Sequence, residues 1–320
     1  MHNIQNFDET IVERDISHKP VIAPKAKRNN PELKTTHGLR PEWLKVKAPT
    51  GESVIQINQL MRSKTLHTVC EEARCPNIGE CWAHGTATFM ILGDTCTRAC
   101  SFCAIKTGIP ATTDILEPLK VAEAVKLMKL HHAVITSVNR DELKDQGSTI
   151  WASTIIKVRE LNPDTTIEVL IPDFKGDLEC INRVVIAKPD ILNHNMETVP
   201  RLYKKIRPQA KYQRSLDLLQ YCKNQGLKTK TGIMVGIGET DDEVYELMKD
   251  LEKVRIDIMT IGQYLQPTVN HSPVDRFVEP VQFAKYKEIG EGLGIPHVES
   301  GPLVRSSYHA HEHILVNART

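Results

Sequence analysis

From residue 86 onward the chain alternates between short β-branched runs and longer stretches in which apolar residues recur every three or four positions. Residues 86–92 (TATFMIL) have the composition of a strand. Residues 119–130 (LKVAEAVKLMKL) carry apolar side chains at 119, 121, 125, 127, 128 and 130, which approximates one face of a helix. The alternation continues with strand 133–138, helix 149–161, strand 166–171, helix 178–187, a short strand at 190–193 and a short helix at 199–206. A helix over 215–224 is closed by Gly226, a residue suited to the left-handed position after a helix end. Strand 229–236 leads to helix 241–254 with Asp241 near its cap, and strand 256–265 precedes helix 280–292, which has Pro280 in its first turn. Strands separated by helical stretches of this length define βα units and a parallel sheet. About six such units fit between residues 86 and 270, fewer than the eight that close a full barrel. The expected fold class is therefore α/β: an open, partial (βα)6 barrel, TIM-like, with an N-terminal extension and a C-terminal closing segment.

Residues 1–62 break the pattern. They are polar, with Pro20, Pro24, Pro31, Pro41 and Pro49 spaced through them and a small basic cluster at Lys25, Lys27 and Arg28. The first 35 residues read as a poorly ordered arm. Trp43, Leu44, Val54, Ile55, Ile57, Leu60 and Met61 supply enough apolar anchors for a short helix packed on the body. The chain thus divides into an arm with a short helix (1–62), a cysteine-bearing segment (63–85), the partial barrel (86–295) and a C-terminal segment (296–320).

Composition narrows the class. The chain has 320 residues, and 41 basic against 40 acidic residues leave a net charge of +1, so no global field favours nucleic acid. No run reaches the 18 or so apolar residues that a membrane span needs. The first 20 residues contain Asp8, Glu9, Glu13 and Asp15 and no apolar core, unlike a secretory signal or a transit peptide. The expectation is a soluble cytoplasmic protein.

In such barrels the chemistry sits on the loops after the strands. The polar residues falling there are Thr136, Ser137 and Asn139, then Asp173, then Asn193, His194 and Asn195, then Glu239 and Gln263. Any one of them alone suits a cap or turn; their alignment on one face carries the weight.

Six of the eight cysteines fall into two triplets, Cys70-x4-Cys75-x5-Cys81 and Cys96-x3-Cys100-x2-Cys103, the second just after the first strand. Crowded thiolates hold soft metals or iron–sulfur clusters. Reduced thiols in a chain without a secretory signal argue against disulfides. Structural zinc wants four ligands; Cys100-x2-Cys103 lacks a matching second pair, although His67 or His84 could complete a site around the first triplet. A triplet leaves one metal position for something else, so two triplets suggest two clusters, each with one non-cysteine ligand. Cys180 and Cys222 stand alone in apolar settings and read as small buried hydrophobes. His309, His311 and His313 alternate near the C-terminus, a spacing that carries little weight for a metal by itself. The basic run Lys204, Lys205 and Arg207 suits a solvated helix end or, less simply, a docking site for an acidic partner.

The triplet Cys96-x3-Cys100-x2-Cys103 in a (βα)6 pattern resembles the radical S-adenosylmethionine (SAM) superfamily. Residues 232–239 (GIMVGIGE) look like that superfamily's fifth-strand motif, with Met234 where isoleucine is usual. The first triplet, in the context CEEARCPNIGECW, closely resembles the auxiliary-cluster motif of the lipoyl synthase family. Segments 86–103, 134–143, 193–203, 212–219, 234–240, 262–268 and 300–310 look like segments of that family too. Gln146 and Glu299 depart from common family residues, where glycine and a small residue are frequent.

The resemblance implies two [4Fe–4S] clusters and SAM as cofactors. Cys96, Cys100 and Cys103 would hold the SAM cluster, and Cys70, Cys75, Cys81 and Ser307 of the Arg305-Ser306-Ser307-Tyr308 motif the auxiliary one. Thr136, Ser137, Asn139, Asn195, Glu239 and Gln263 would be SAM-pocket candidates, and Arg305 would steer the C-terminal segment or touch a cluster ligand. The implied activity is insertion of two sulfur atoms, drawn from the auxiliary cluster, at C6 and C8 of an octanoyl chain on a lipoyl carrier domain. Implied partners are 2-oxoacid dehydrogenase E2 subunits or the glycine cleavage H protein, a flavodoxin or ferredoxin as electron donor, and iron–sulfur carrier proteins, with neither nucleic acid nor a membrane span. A biotin synthase-like enzyme or a methylthiotransferase would share the second triplet but should lack the first triplet paired with RSSY. A zinc-dependent binding module without chemistry is the reading from another class.

Overall fold

The structure, a computed structural model, describes residues 41–45, 67–68, 77–83, 85–308 and 310–315. The expected arm over 1–35, Cys70, Cys75 and most of the expected helix over 43–61 lie outside the described residues; of that helix, a single 3-10 turn at Glu42–Leu44 is described, with Leu44 buried.

The strands in chain order are β1 (His67–Thr68), β2 (Thr86–Ile91), β3 (Thr95–Cys96), β4 (Lys106–Thr107), β5 (His132–Ser137), β6 (Thr166–Leu170), β7 (Ile191–Asn193), β8 (Thr229–Val235), β9 (Ile258–Gln263) and β10 (His297–Gly301). One sheet runs in the order β1-β2-β5-β6-β7-β8-β9-β10, and every neighbour from β2 to β10 is parallel. Only the two-residue β1 is antiparallel, on β2. The expected six βα strands between residues 86 and 270 are present, and β10 adds a seventh parallel strand inside the C-terminal segment. Its sequence, HVESG, has one apolar side chain in five residues. It becomes a strand because β9 offers an open parallel edge in register, His297 opposite Ile258 through Gly301 opposite Gly262.

β2 is buried at all six positions, which is why it reads as a continuous apolar run rather than an alternation. The helices Glu117–Leu127, Ser148–Leu161 and Leu178–Ile186 cover the first half of the sheet, where Phe89, Ile135, Trp151, Ile155 and Val169 share one core. The helices Asp241–Lys253 and Pro280–Gly292 cover the second half around Ile261, Leu247, Met248, Phe283 and Tyr286. The helix Asp241–Lys253 is capped by Thr240 rather than by Asp241, through a capping box in which the Glu243 carboxylate accepts from the Thr240 amide at 2.9 Å. The helix Tyr212–Asn224 ends as expected, with Gly226 at φ +81°. Cys180 and Cys222 are 3% and 0% exposed, in keeping with their reading as small hydrophobes. Among the described residues, no helix is long and apolar enough to cross a membrane.

Beyond β10 the chain turns back over the sheet. Gly262 is bare where the Val304 carbonyl oxygen lies against it, and a Cβ there would collide with that backbone. The chain then passes Ser306, and its last described residues form a turn, Glu312–Leu315, whose Ile314 carbonyl accepts from Lys228 Nζ at 2.7 Å.

Candidate active site

The loop that carries Cys96, Cys100 and Cys103 is held by its neighbours rather than by its own hydrogen bonds. Cys96 ends β3, which pairs with β4, and the Gly108 amide donates to the Cys96 carbonyl at 3.0 Å. The Thr97 amide donates to the Asn139 carbonyl after β5, and the Ser101 amide to the Ile206 carbonyl beyond β7. From the segment after β9, the Ser272 amide donates to the Ser101 carbonyl at 2.9 Å, and His271 Nε2 lies 2.9 Å from the Cys103 carbonyl. Three strand-end loops thus grip the cysteine loop on the face where such barrels work.

Cys96 is buried, and its Sγ accepts from the Arg98 amide at 3.4 Å and from the Asn139 amide at 3.3 Å, with Asn139 Nδ2 at 3.8 Å. Such N–H contacts stabilise a thiolate and tune a metal bound to it. Burial pushes the Cys103 thiol up to about 12. It pushes Cys100 up to about 11, against the opposing pull of the Arg207 guanidinium. Charge on Cys96 raises both, and Cys100 raises Cys103, so the three sulfurs converge. They form no disulfide. Thiols such as Cys100 and Cys103, whose acidity desolvation lowers, give up their protons when a metal binds them.

Arg98, two positions after Cys96, locks the loop from beneath. Its guanidinium meets Asp141 with two bonds of 2.7 and 2.9 Å and Asp173 at 2.7 Å, and Arg214 reaches the other Asp173 oxygen at 3.0 Å. Burial alone would raise the Asp173 carboxyl; Arg98 overrides it and holds the group well below the usual carboxylate range. Sequence reasoning flagged Asp173 by its strand-end position but passed over Arg98 and Asp141, whose only signal was a charge beside the cysteines.

The strand-end candidates separate into two kinds. Glu239 accepts from the Gly236 and Ile237 amides at 2.7 and 3.0 Å, and Gln263 donates to the Tyr264 and Arg276 carbonyls while accepting from the Val278 amide. Both brace their own loops. Thr136 Oγ1 likewise donates to the Leu170 carbonyl at 3.0 Å. By contrast, Ser137 Oγ and Asn195 Oδ1 are buried with no partner among the described residues, hydrogen-bonding capacity left over for a bound molecule. Asn195 Nδ2 donates to Ser306 Oγ at 2.8 Å and lies 3.1 Å from Glu197 Oε1. Arg207, expected on a solvated or docking face with Lys204 and Lys205, instead turns inward. Its Nη1 donates to the Asn195 and Met196 carbonyls at 2.9 and 3.1 Å, and its charge faces Cys100. Lys204 and Lys205 are exposed. Glu197, at φ +65° with its acid raised by burial, was not singled out by the sequence.

Of the first triplet, Cys81 is described, half-buried on the helix Ile78–Ala83. The C-terminal segment docks on this helix. Asn77 Nδ2 donates to the Leu303 carbonyl at 2.8 Å, and Tyr308 Oη lies 3.4 Å from Glu80 Oε1. Charge on Glu80 and then on Cys81 raises the Tyr308 phenol, after burial. Residues 226 and 228 positions apart in sequence are thereby joined, and Ser307 sits between two residues of that docking segment. Arg305 Nη1 donates to the Val304 carbonyl at 2.6 Å, within its own segment.

A partial βα barrel with a convergent cysteine triplet after its first long strand is the architecture of the radical SAM superfamily, and residues 90–251 match the family model of that superfamily. Residues 6–75 match the N-terminal domain of lipoyl synthase. The chain is 58% identical to a lipoyl synthase of Rubrobacter xylanophilus over 86% of each chain. It is 55% identical to a mitochondrial lipoyl synthase of Nematostella vectensis over 86% of this chain and 95% of that one. The chain belongs to the lipoyl synthase family. Its fold is similar to that of Streptococcus suis SuiB, with a TM-score of 0.53 at 10% identity, over 82% of this chain and 55% of that one.

Proposed function

We propose that this chain inserts two sulfur atoms into an octanoyl chain carried on a lipoyl carrier domain, at C6 and C8. The observation that carries this reading is the docking of the RSSY segment on the helix that bears Cys81, which brings a serine motif from far along the chain onto the element that holds this member of the first triplet. When bound, a [4Fe–4S] cluster on Cys96, Cys100 and Cys103 with SAM supplies a radical able to take hydrogen from an unactivated carbon, and one on Cys70, Cys75, Cys81 and Ser307 supplies sulfur. Unactivated C–H bonds offer no acidity, so acid–base residues have no work to do on them.

The side chains of this protein then have binding and positioning roles. The Arg98 and Asn139 amides donate to Cys96 Sγ and orient it, and the Arg207 charge facing Cys100 eases loss of that thiol's proton. Ser137 and Asn195 offer the unused polar atoms that a SAM molecule would satisfy. Glu239, Gln263 and Thr136 hold the strand-end loops so that those atoms stay in place. Asn195 ties the pocket to Ser306, next to Ser307.

E2 subunits or the glycine cleavage H protein are the proposed carriers, a flavodoxin or ferredoxin the electron donor, and iron–sulfur carrier proteins the suppliers of new clusters. We place the enzyme in the cytoplasm, where thiols remain reduced. The chain divides into the arm at 1–62, the segment 63–85 with the first triplet, the barrel at 86–295 and the C-terminal segment.

The test is anaerobic reconstitution with iron and sulfide, followed by mass spectrometry of an octanoylated carrier incubated with SAM and a reductant. Replacement of two hydrogens by two sulfurs is the expected product. Consumption of SAM without sulfur in the carrier, from protein loaded at both triplets, would overturn the proposal.

A further inference from the structure

Inside the sheet lies a cluster that the sulfur chemistry does not use. Lys230 Nζ meets both Glu168 oxygens at 2.9 and 3.0 Å and lies 3.0 Å from His313 Nδ1. Asn193 Nδ2 donates to Glu168 Oε1 at 3.2 Å. Next to this group, His313 from the terminal turn stands against His297 of β10, with ring centroids 5.1 Å apart. His297 Nε2 is 3.6 Å from Glu299 Oε2, two positions along the same strand and on the same face. One ligand atom from each of His297, Glu299 and His313 falls within 4.8 Å of the others. The Nε2 atoms of His297 and His313 are buried and make no hydrogen bond to the described residues.

We propose that His297, Glu299 and His313 form a binding site for a borderline divalent cation of the Zn2+ class, separate from both cysteine triplets. The donor set, two imidazoles and a carboxylate, suits such an ion and leaves a fourth position for water. Two ligands about 2.1 Å from one tetrahedral ion stand about 3.4 Å apart, close to the His297–Glu299 spacing, so the site closes with about 1 Å of inward movement by the third ligand. Two buried imidazole nitrogens without partners are costly as they stand, and a cation satisfies both at once. With Lys230 donating to His313 Nδ1, the neutral ring carries its proton on Nε2; when the cation takes Nε2, Lys230 passes its shared proton to Nδ1 and becomes a neutral amine, and the Nε2 proton leaves to solvent, a net release of one proton. The ion would join β10 to the terminal turn, six residues after Ser307, and so fix the far end of the segment that bears RSSY. The site rests on no part of the sulfur-insertion reading.

The test uses the full chain with both cysteine triplets loaded with iron and sulfide, so that no free thiols compete. Zn2+ is added by equilibrium dialysis, and its coordination is read by zinc X-ray absorption. One equivalent per chain is expected, with a shell of nitrogen and oxygen at about 2.0 Å and no sulfur at about 2.3 Å. Glu299→Gln and His297→Gln, both at partly exposed positions, should each weaken binding at least tenfold. His311→Gln, beside the exposed Glu312, should leave it unchanged. No retained zinc, a sulfur shell, or equal binding by the wild type and the Glu299 and His297 variants would each overturn the site.

Discussion

Arg98 shows how much of a cluster loop's order comes from a residue that binds no metal. It is 4% exposed at its side chain, and its charge is shared between Asp141 and the fully buried Asp173. Removing one partner of a buried ion pair leaves the other uncompensated, at a cost of about 3–5 kcal/mol. Arg98→Met is therefore expected to lower stability by that order in urea denaturation and to reduce iron loading at the Cys96 triplet. Arg98→Lys should recover part of the loss, because a lysine meets one carboxylate where the guanidinium fork meets two. His194 belongs to the same layer. Its Nδ1 donates to the Ile171 carbonyl at 2.8 Å and its Nε2 accepts from Ser215 Oγ at 2.9 Å, which fixes a neutral ring. Burial, and then Arg207, push it down to about 4 from 6.5. A depressed folded value means that the unfolded chain takes up the proton first. Stability from this residue is complete above pH 6.5 and is lost as pH falls toward 4, on the order of 3 kcal/mol in all. Urea midpoints at pH 7 and pH 5 should differ, and His194→Gln should flatten the difference. The sequence pointed to His194 and Asp173 by position alone; their partners come from loops and helices far along the chain, which periodicity cannot pair.

At the scale of elements, the strands visible in the sequence are those whose burial is total or nearly so, such as β2, β5 and β9, because a strand covered on both faces reads as an unbroken apolar run. β10 is hidden because Val298 alone enters the apolar core while His297 and Glu299 share the other, polar face, so the usual apolar run is absent. What specifies it is geometry supplied by β9 and by Gly262. The Val304 carbonyl oxygen occupies the space that a Cβ at position 262 would fill, and Arg305 Nη1 stands 3.2 Å from the same point. Gly262→Ala should push the 302–305 segment off the sheet at a cost of about 1–3 kcal/mol. Limited proteolysis is the readout: cleavage within 302–308 should rise in the variant, and unchanged protection would mean that the segment is held elsewhere. The same glycine was legible as part of a family segment, yet its reason lies in a backbone contact across some forty positions, which no local pattern carries.

Across the whole molecule the two cysteine sites hang on different parts of one sheet. The Cys96 loop is gripped by the segments after β5, β7 and β9, whereas Cys81 rides on the helix before β2 and faces the segment after β10. Those supports share no residue, so losing one site should leave the other standing. Cys81→Ala is expected to lower bound iron from roughly eight to roughly four per chain after anaerobic reconstitution, the content of one [4Fe–4S] cluster. Reductive cleavage of SAM to 5′-deoxyadenosine should persist, since the amides on Cys96 and the Arg98 lock are untouched. Sulfur in the octanoyl carrier should fall by roughly a hundredfold or more, because a missing ligand removes the donor itself rather than its tuning. The paired variant Cys100→Ala should abolish SAM cleavage while keeping about half the iron. Loss of both activities in Cys81→Ala, with the Cys96 triplet still loaded, would mean that the radical site depends on the auxiliary site for its structure. The separate anchoring of the Cys96 loop and of Cys81 could not then account for the division of labour.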